Sequence, residues 1–213
     1  MSRWSRFRAR VERERRGTYE TLLPGPYPPL EVFLGGGRPR RLFYFTKPIL
    51  CTHWMLHDQF PSGWVALARR SVPGAQYLEE VRGYSERLQL PVLFVGDLDP
   101  LDLTIYLMLL WGSADLSTKG ARPMKVEYRA VSDRWLALRQ RRSSPIRGSL
   151  GMEALEREHY KIVKELLPDL ERLVGPDCLE LLDSGHKLEL EGACEPSVAG
   201  RDFPSRLLRY LNA

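Results

Sequence analysis

Two carboxylates one residue apart, Asp97 and Asp99, close the apolar run Pro91–Val95 within the segment PVLFVGDLDPLDLTIY over 91–106. Alternate residues of a strand share a face, so both acids can point the same way at a strand's end. The carboxyl ends of parallel strands are where open α/β sheets receive ligands. A carboxylate pair in that place has the oxygen chemistry that holds a hard cation such as Mg²⁺. Asp and Pro are also ordinary turn residues, so a plain turn is the competing reading. Asp102 adds either a third carboxylate or an acid at a helix N-terminus, where it is favourable against the dipole.

Other residues with chemistry form weaker patterns. His53 and His57 stand at i and i+4, on one face of a helix. With Asp58 or Cys51 they supply zinc-ligand types. The glutamate of H-E-x-x-H is missing, so they carry no built-in base, and exposed or core histidines are commoner than ligands. His159 and His186 are isolated. Residues 35–41, GGGRPRR, lack the GK[ST] ending and following helix of a phosphate cradle and read as a hairpin loop. No Gly-x-Ser-x-Gly elbow is present. Cys51, Cys178 and Cys194 are widely spaced and odd in number. They argue against a disulfide framework or a zinc ribbon and for a reducing compartment, so a cytoplasmic location is expected.

The elements that must position these groups follow from apolar spacing. Glu31–Leu34 reads as a short strand, Leu42–Thr46 as a buried strand, and Ile49–Asp58 as a helix with Pro48 at its start. Trp64–Ala68 is a second buried strand. Residues 75–90 carry apolar side chains at helical spacing, and Val92–Val95 is the third strand, ahead of Asp97. Leu101–Trp111 is the next helix. Alternating strands and helices predict a mainly parallel sheet flanked by helices, an α/β fold. Met124–Val131 alternates like an edge strand. Asp133 can cap a helix over 134–140, and Arg141–Ser149 reads as a surface loop. Helices are expected over Met152–Leu167, Asp177–Asp183 and Phe203–Leu211.

Charge divides the chain. Net charge is +5, and residues 1–16 carry seven arginines against Glu12 and Glu14. Setting those aside leaves 25 basic and 25 acidic residues, a neutral body. A neutral body with a basic arm is not the broad positive channel of a DNA-processing enzyme. Trp4, Phe7 and Val11 suggest that the arm is an amphipathic helix, and Leu23–Pro29 is a proline-rich extended linker. The arm can touch nucleic acid or an acidic partner. The expected organisation is therefore an arm and linker over 1–30, an α/β domain over 31–195 and a helical tail over 196–213. No apolar run approaches the ~20 residues of a membrane span, and the first residues show no secretory h-region.

On these motifs the chain resembles the Toprim domain. Phe94-Val-Gly-Asp97-Leu-Asp99-Pro100 is similar to the D-x-D-P-x-G segment of the topoisomerase VI A subunit, its meiotic double-strand-break relatives and Wadjet-type Toprim proteins. Leu181-Leu-Asp-Ser-Gly185-His-Lys187-Leu-Glu189-Leu-Glu191 resembles their L-x-x-G-x-K-x-E-I-E segment. The resemblance covers about residues 40–195. It implies a site in which a first-strand acid joins the D-x-D pair to hold Mg²⁺ for phosphoryl transfer, and it implies homodimers. This chain departs from it. Lys47 stands where the first-strand glutamate should be, and Asp102 replaces the glycine. An ammonium cannot coordinate a cation and repels one within a Debye length, ~8 Å at physiological salt. The family's tyrosine-bearing winged-helix domain also has no room in the ~40 residues before the resemblance begins.

The expectation is a degenerate, non-catalytic Toprim-like protein, with no cofactor, that binds a peptide or protein partner, such as the precursor peptide of a biosynthetic pathway. Lys47 and the basic cluster Arg141, Arg142 and Arg147 are the candidate binding residues. Strand addition to a sheet edge is one route. The alternatives are a Mg²⁺-dependent nuclease using Asp97, Asp99 and Asp102, with Asp97 and Asp99 as metal ligands, and a DNA-binding accessory using the arginine-rich arm.

Overall fold

The computed structural model describes residues 30–69, 72–111, 123–138, 146, 148–190 and 203–212. The basic arm, the linker, Arg141, Arg142 and Arg147 lie outside the described residues. The chain forms two compact units. One comprises residues 1–94 and 105–127, the other 95–104 and 128–213.

The first unit is built on a five-stranded, mainly parallel sheet flanked by helices. Its strands are β1 (Glu31–Leu34), β2 (Arg41–Phe45), β3 (Trp64–Ala68), β4 (Val92–Val95) and β5 (Val126–Tyr128), in the order β1-β3-β2-β4-β5. The central segments RLFYF, WVALA and VLFV are almost wholly buried. Continuous apolar runs of this kind are what a sheet covered on both faces requires. β2 lies parallel to β3 with Phe43 opposite Ala66. β1 runs antiparallel to β3, with Phe33 opposite Ala66.

Alternation sorts the aromatics onto two faces. Phe43 packs on Trp64 at 4.2 Å between ring centroids, and Phe45 on Trp54 at 6.2 Å. On the other face Tyr44 stacks with Phe94 at 6.4 Å, and Phe94 meets Tyr106 at 5.5 Å. Trp54 comes from α1 (Ile49–Leu56) and Tyr106 from α3 (Pro100–Trp111), while α2 (Ala75–Leu88) links β3 to β4. Each ring takes about 150–250 Å² out of water. At roughly 25 cal/mol per Å² that is on the order of 4–6 kcal/mol apiece, as an upper bound. Packing of this size outweighs the weak intrinsic preference of four- and five-residue strands.

The 35–41 segment differs from expectation. β1 and β2 are not neighbours, so it is no hairpin; it carries the chain past β3. Gly35 donates its N–H to the Trp64 carbonyl at 2.9 Å, and Gly63 donates to the Gly36 carbonyl at 2.7 Å. A side chain on Gly35 would run into the Pro61 carbonyl, so backbone-to-backbone approach demands glycine here.

The second unit holds α4 (Asp133–Leu136), β6 (Ser149–Gly151), α5 (Ala154–Leu166), α6 (Leu170–Val174), α7 (Pro176–Asp183), β7 (His186–Leu188) and α8 (Phe203–Asn212). β6 and β7 form a two-stranded antiparallel sheet, with Leu150 opposite Lys187. Neither strand was expected, because three-residue strands leave almost no periodicity to read. The loop expected to run through Ser149 therefore ends in a strand. Asp133 does not cap its own helix. Ser132 does so, accepting the Trp135 N–H at 3.4 Å. The Asp133 carboxylate instead accepts the N–H groups of Asp177 at 3.0 Å and Cys178 at 2.9 Å, and so caps α7.

One ion pair of this unit makes a pH prediction. Asp183 accepts hydrogen bonds from Tyr160 Oη at 2.7 Å and Lys164 Nζ at 2.6 Å. Burial raises the Asp183 pKa, but the hydrogen bonds from Lys164 and Tyr160 and the Lys164 charge outweigh it and hold the carboxyl below its ordinary value. A carboxyl depressed in the folded state stabilises above its unfolded pKa and loses that stabilisation as pH falls through the folded one. Wild type should therefore melt higher than Asp183→Asn near neutrality. The gap should close as pH falls below the ordinary carboxylate range in a thermal-denaturation series. A gap that widens in acid would contradict this.

Candidate functional site

The D-x-D segment belongs to the second unit, and there the fold brings both recognised motifs together. Leu98, between the two aspartates, pairs antiparallel with Leu188. Leu98 N–H donates to the Leu188 carbonyl at 2.9 Å, and Leu188 N–H returns the bond at 3.0 Å. Both leucines are fully buried. The segment preceding β7 ends α7 at Gly185, whose φ of +79° is the left-handed conformation common just past a helix. The glycine of the second motif thus turns the chain back so that Leu188 and Leu190 reach the D-x-D loop.

The three carboxylates are buried, with Asp97 at 3%, Asp99 at 8% and Asp102 at 3% exposure. Each accepts a backbone N–H. Asp97 Oδ1 accepts from Leu190 at 2.7 Å, Asp102 Oδ2 from Asp97 at 2.6 Å, and Asp99 Oδ1 from Asp102 at 2.6 Å. The last bond gives the spacing D-P-x-D a purely helical logic. Asp99 directly precedes α3, Pro100 is its first residue, and Asp102 is its third. An aspartate before the helix accepting the third N–H is an N-cap, and proline at the first position costs the helix nothing. The Asp99 carbonyl accepts the first helical bond from Leu103 at 3.1 Å. Asp102, in the first turn, also faces the positive end of the dipole. Sequence spacing anticipated this role for Asp102.

Lys187 of the second motif stands close by. Its ammonium donates to Glu156 Oε1 at 2.7 Å and lies 4.0 Å from Glu189 Oε1. Burial pushes the Lys187 pKa down. The hydrogen bond and charge of Glu156, with the charges of Asp99 and Glu189, overcome that and hold it above its ordinary value. Glu156 itself is fixed by the capping box that opens α5, its Oε2 accepting the Glu153 N–H at 2.9 Å. Lys187 is therefore a permanent cation within the field of Asp99. Neither the box nor its service to Lys187 was read from the sequence, since glutamate is not a usual N-cap residue.

Carboxylates are the right donors for Mg²⁺. The arrangement does not fit that ion well: one oxygen of each acid is spent on a backbone N–H, and a lysine ammonium occupies the local field. Among the described residues no three His, Cys, Asp or Glu side chains group so as to hold a metal. Lys47 belongs to the first unit, half-buried two residues past β2.

His53 and His57 share the outer face of α1, both exposed, with ring centroids 4.5 Å apart. Cys51 does not join them as a ligand. It is fully buried, and burial, reinforced by the Glu31 charge against a backbone hydrogen bond, drives its thiol pKa strongly upward. Its burial keeps it away from the exposed rings. Among the described residues no helix is long and apolar enough to cross a membrane. No protein-family model matches this chain, and no curated protein matches it.

Proposed function

We propose that this is a non-catalytic, Toprim-like binding protein whose acidic loop has become a structural latch and whose partner is a peptide or protein. The observation that carries the reading is the use made of Asp97, Asp99 and Asp102, each buried and each accepting a backbone N–H. A metal centre keeps its carboxylates aimed at a shared point; here they are aimed at three amides. Lys187, in the field of Asp99, adds positive charge where a cation site needs negative charge.

The binding half of the reading is supported by β1. Among the described residues it is the terminal strand of the sheet, and it exposes Val32 at 40% and Leu34 at 64%. A terminal strand with exposed apolar side chains is suited to accept an extended peptide by strand addition. The competing reading, a Mg²⁺-dependent nuclease, draws on the convergence of the three aspartates in one loop.

Calorimetric titration separates the two. Mg²⁺ should give no stoichiometric heat, and plasmid should not be nicked with either Mg²⁺ or Mn²⁺ present. Tight binding or nicking that disappears in Asp97→Ala would overturn the proposal. Peptides selected by display against the whole chain should lose binding in Leu34→Lys, an exposed change that spares the core. Selected peptides indifferent to that change would remove β1 from the account.

A further inference from the structure

The outer face of α1 carries a feature that the acidic loop does not explain. Cys51 and Trp54, both fully buried, pin one side of the helix to the first unit. Trp54 is held edge-on by Phe45 at 6.2 Å and Trp64 at 5.9 Å. That anchoring leaves His53 and His57 exposed on an adjoining face, one helical turn apart. Their ring centroids are 4.5 Å apart.

That separation matches bidentate coordination. A metal about 2.1 Å from a ring nitrogen lies roughly 3.2 Å from that ring's centroid, so two rings meeting it between a right angle and the tetrahedral angle stand about 4.5–5.2 Å apart. Histidines at i and i+4 of a helix are near enough for rotation about their side-chain bonds to bring a nitrogen of each onto one ion. The position adds to this. His53 lies in the last turn of α1 and His57 follows its end, where the carbonyl pole of the helix favours positive charge. Asp58, exposed and in the left-handed conformation at φ 52°, follows directly and adds a negative charge to the same end.

We propose that His53 and His57 form a surface site for a divalent first-row transition metal, with water or a donor from another molecule filling the remaining positions. Imidazole selects such ions over Mg²⁺ and Ca²⁺, which require oxygen. The expected order of affinity is Cu²⁺ above Ni²⁺ and Zn²⁺. The site is independent of the Toprim reading and of the peptide proposal.

The test uses the full chain, stripped of metal with a chelator and titrated calorimetrically with Cu²⁺, Ni²⁺ and Zn²⁺. One ion per chain, or one per two chains where a second copy completes the shell, is the expected result. Closing the second imidazole onto a bound ion is intramolecular, so losing either ring in His53→Gln or His57→Gln should weaken binding by about a hundredfold. Both positions are exposed, and circular dichroism verifies that the variants fold. His186→Gln, which removes the other exposed histidine, should leave affinity unchanged. Binding that survives both α1 substitutions, binding that is lost in His186→Gln, or no saturable binding to wild type would each overturn the site.

Discussion

Replacing Asp97 by alanine should lower the melting temperature by about 5–10 °C, and the sign of this change matters more than its size. The carboxylate is 3% exposed and accepts the Leu190 N–H at 2.7 Å. Its removal leaves a buried amide without its acceptor. A hydrogen bond to a charged acceptor contributes about 1.5–3 kcal/mol, and an unsatisfied buried donor costs a similar amount. Asp97→Asn keeps the shape and an accepting oxygen, so it should fall between wild type and Asp97→Ala. A metal centre without its ion behaves in the opposite way. Its carboxylates repel one another, and deleting one relieves that strain. A melting temperature that rises in Asp97→Ala would therefore sink the latch and restore the metal reading.

The second large effect is expected at Gly175, between α6 and α7. Its φ of +91° and ψ of 162° lie in a region that is essentially glycine's alone. A β-carbon there would also fall onto the Asp133 carboxylate, the group that caps α7. Gly175→Ala should cost about 1–3 kcal/mol in backbone strain and roughly 1 kcal/mol more as the cap is pushed aside. Asp133→Ala alone should cost about 1–2 kcal/mol. The double variant should be less destabilised than the two single ones together, since no cap remains to displace. Strict additivity in a chemical-denaturation cycle would show that the two groups do not meet.

The strands and helices of the first unit were largely legible because their signals are strong. RLFYF, WVALA and VLFV are continuous apolar runs, and α2 ends within two residues of its expected limit. What failed was connection. Nothing in Gly35–Arg41 tells whether the chain returns beside β1 or crosses to the far side of β3, since both need the same glycines. In the second unit the missed elements are β6, β7 and α6, of three, three and five residues. Their existence rests on tertiary pairing, such as Leu150 with Lys187, rather than on local pattern. The acids were found at once, but their use was not. Whether Asp97 faces an ion or an amide depends on Leu190, 93 residues away.

That separation also sets an order of events during synthesis. The second unit takes residues 95–104 from the middle of the chain and the rest from 128 onward. On the ribosome the acidic loop emerges long before Leu188 and Leu190, the segment it must bind. At about 5–20 residues per second the delay is on the order of 5–20 seconds. Throughout that interval the nascent aspartates are hydrated and ionised, and they give up their water only when the C-terminal third arrives. A protein cut short before Gly185 never closes the loop, so premature termination there should yield a species marked for proteolysis.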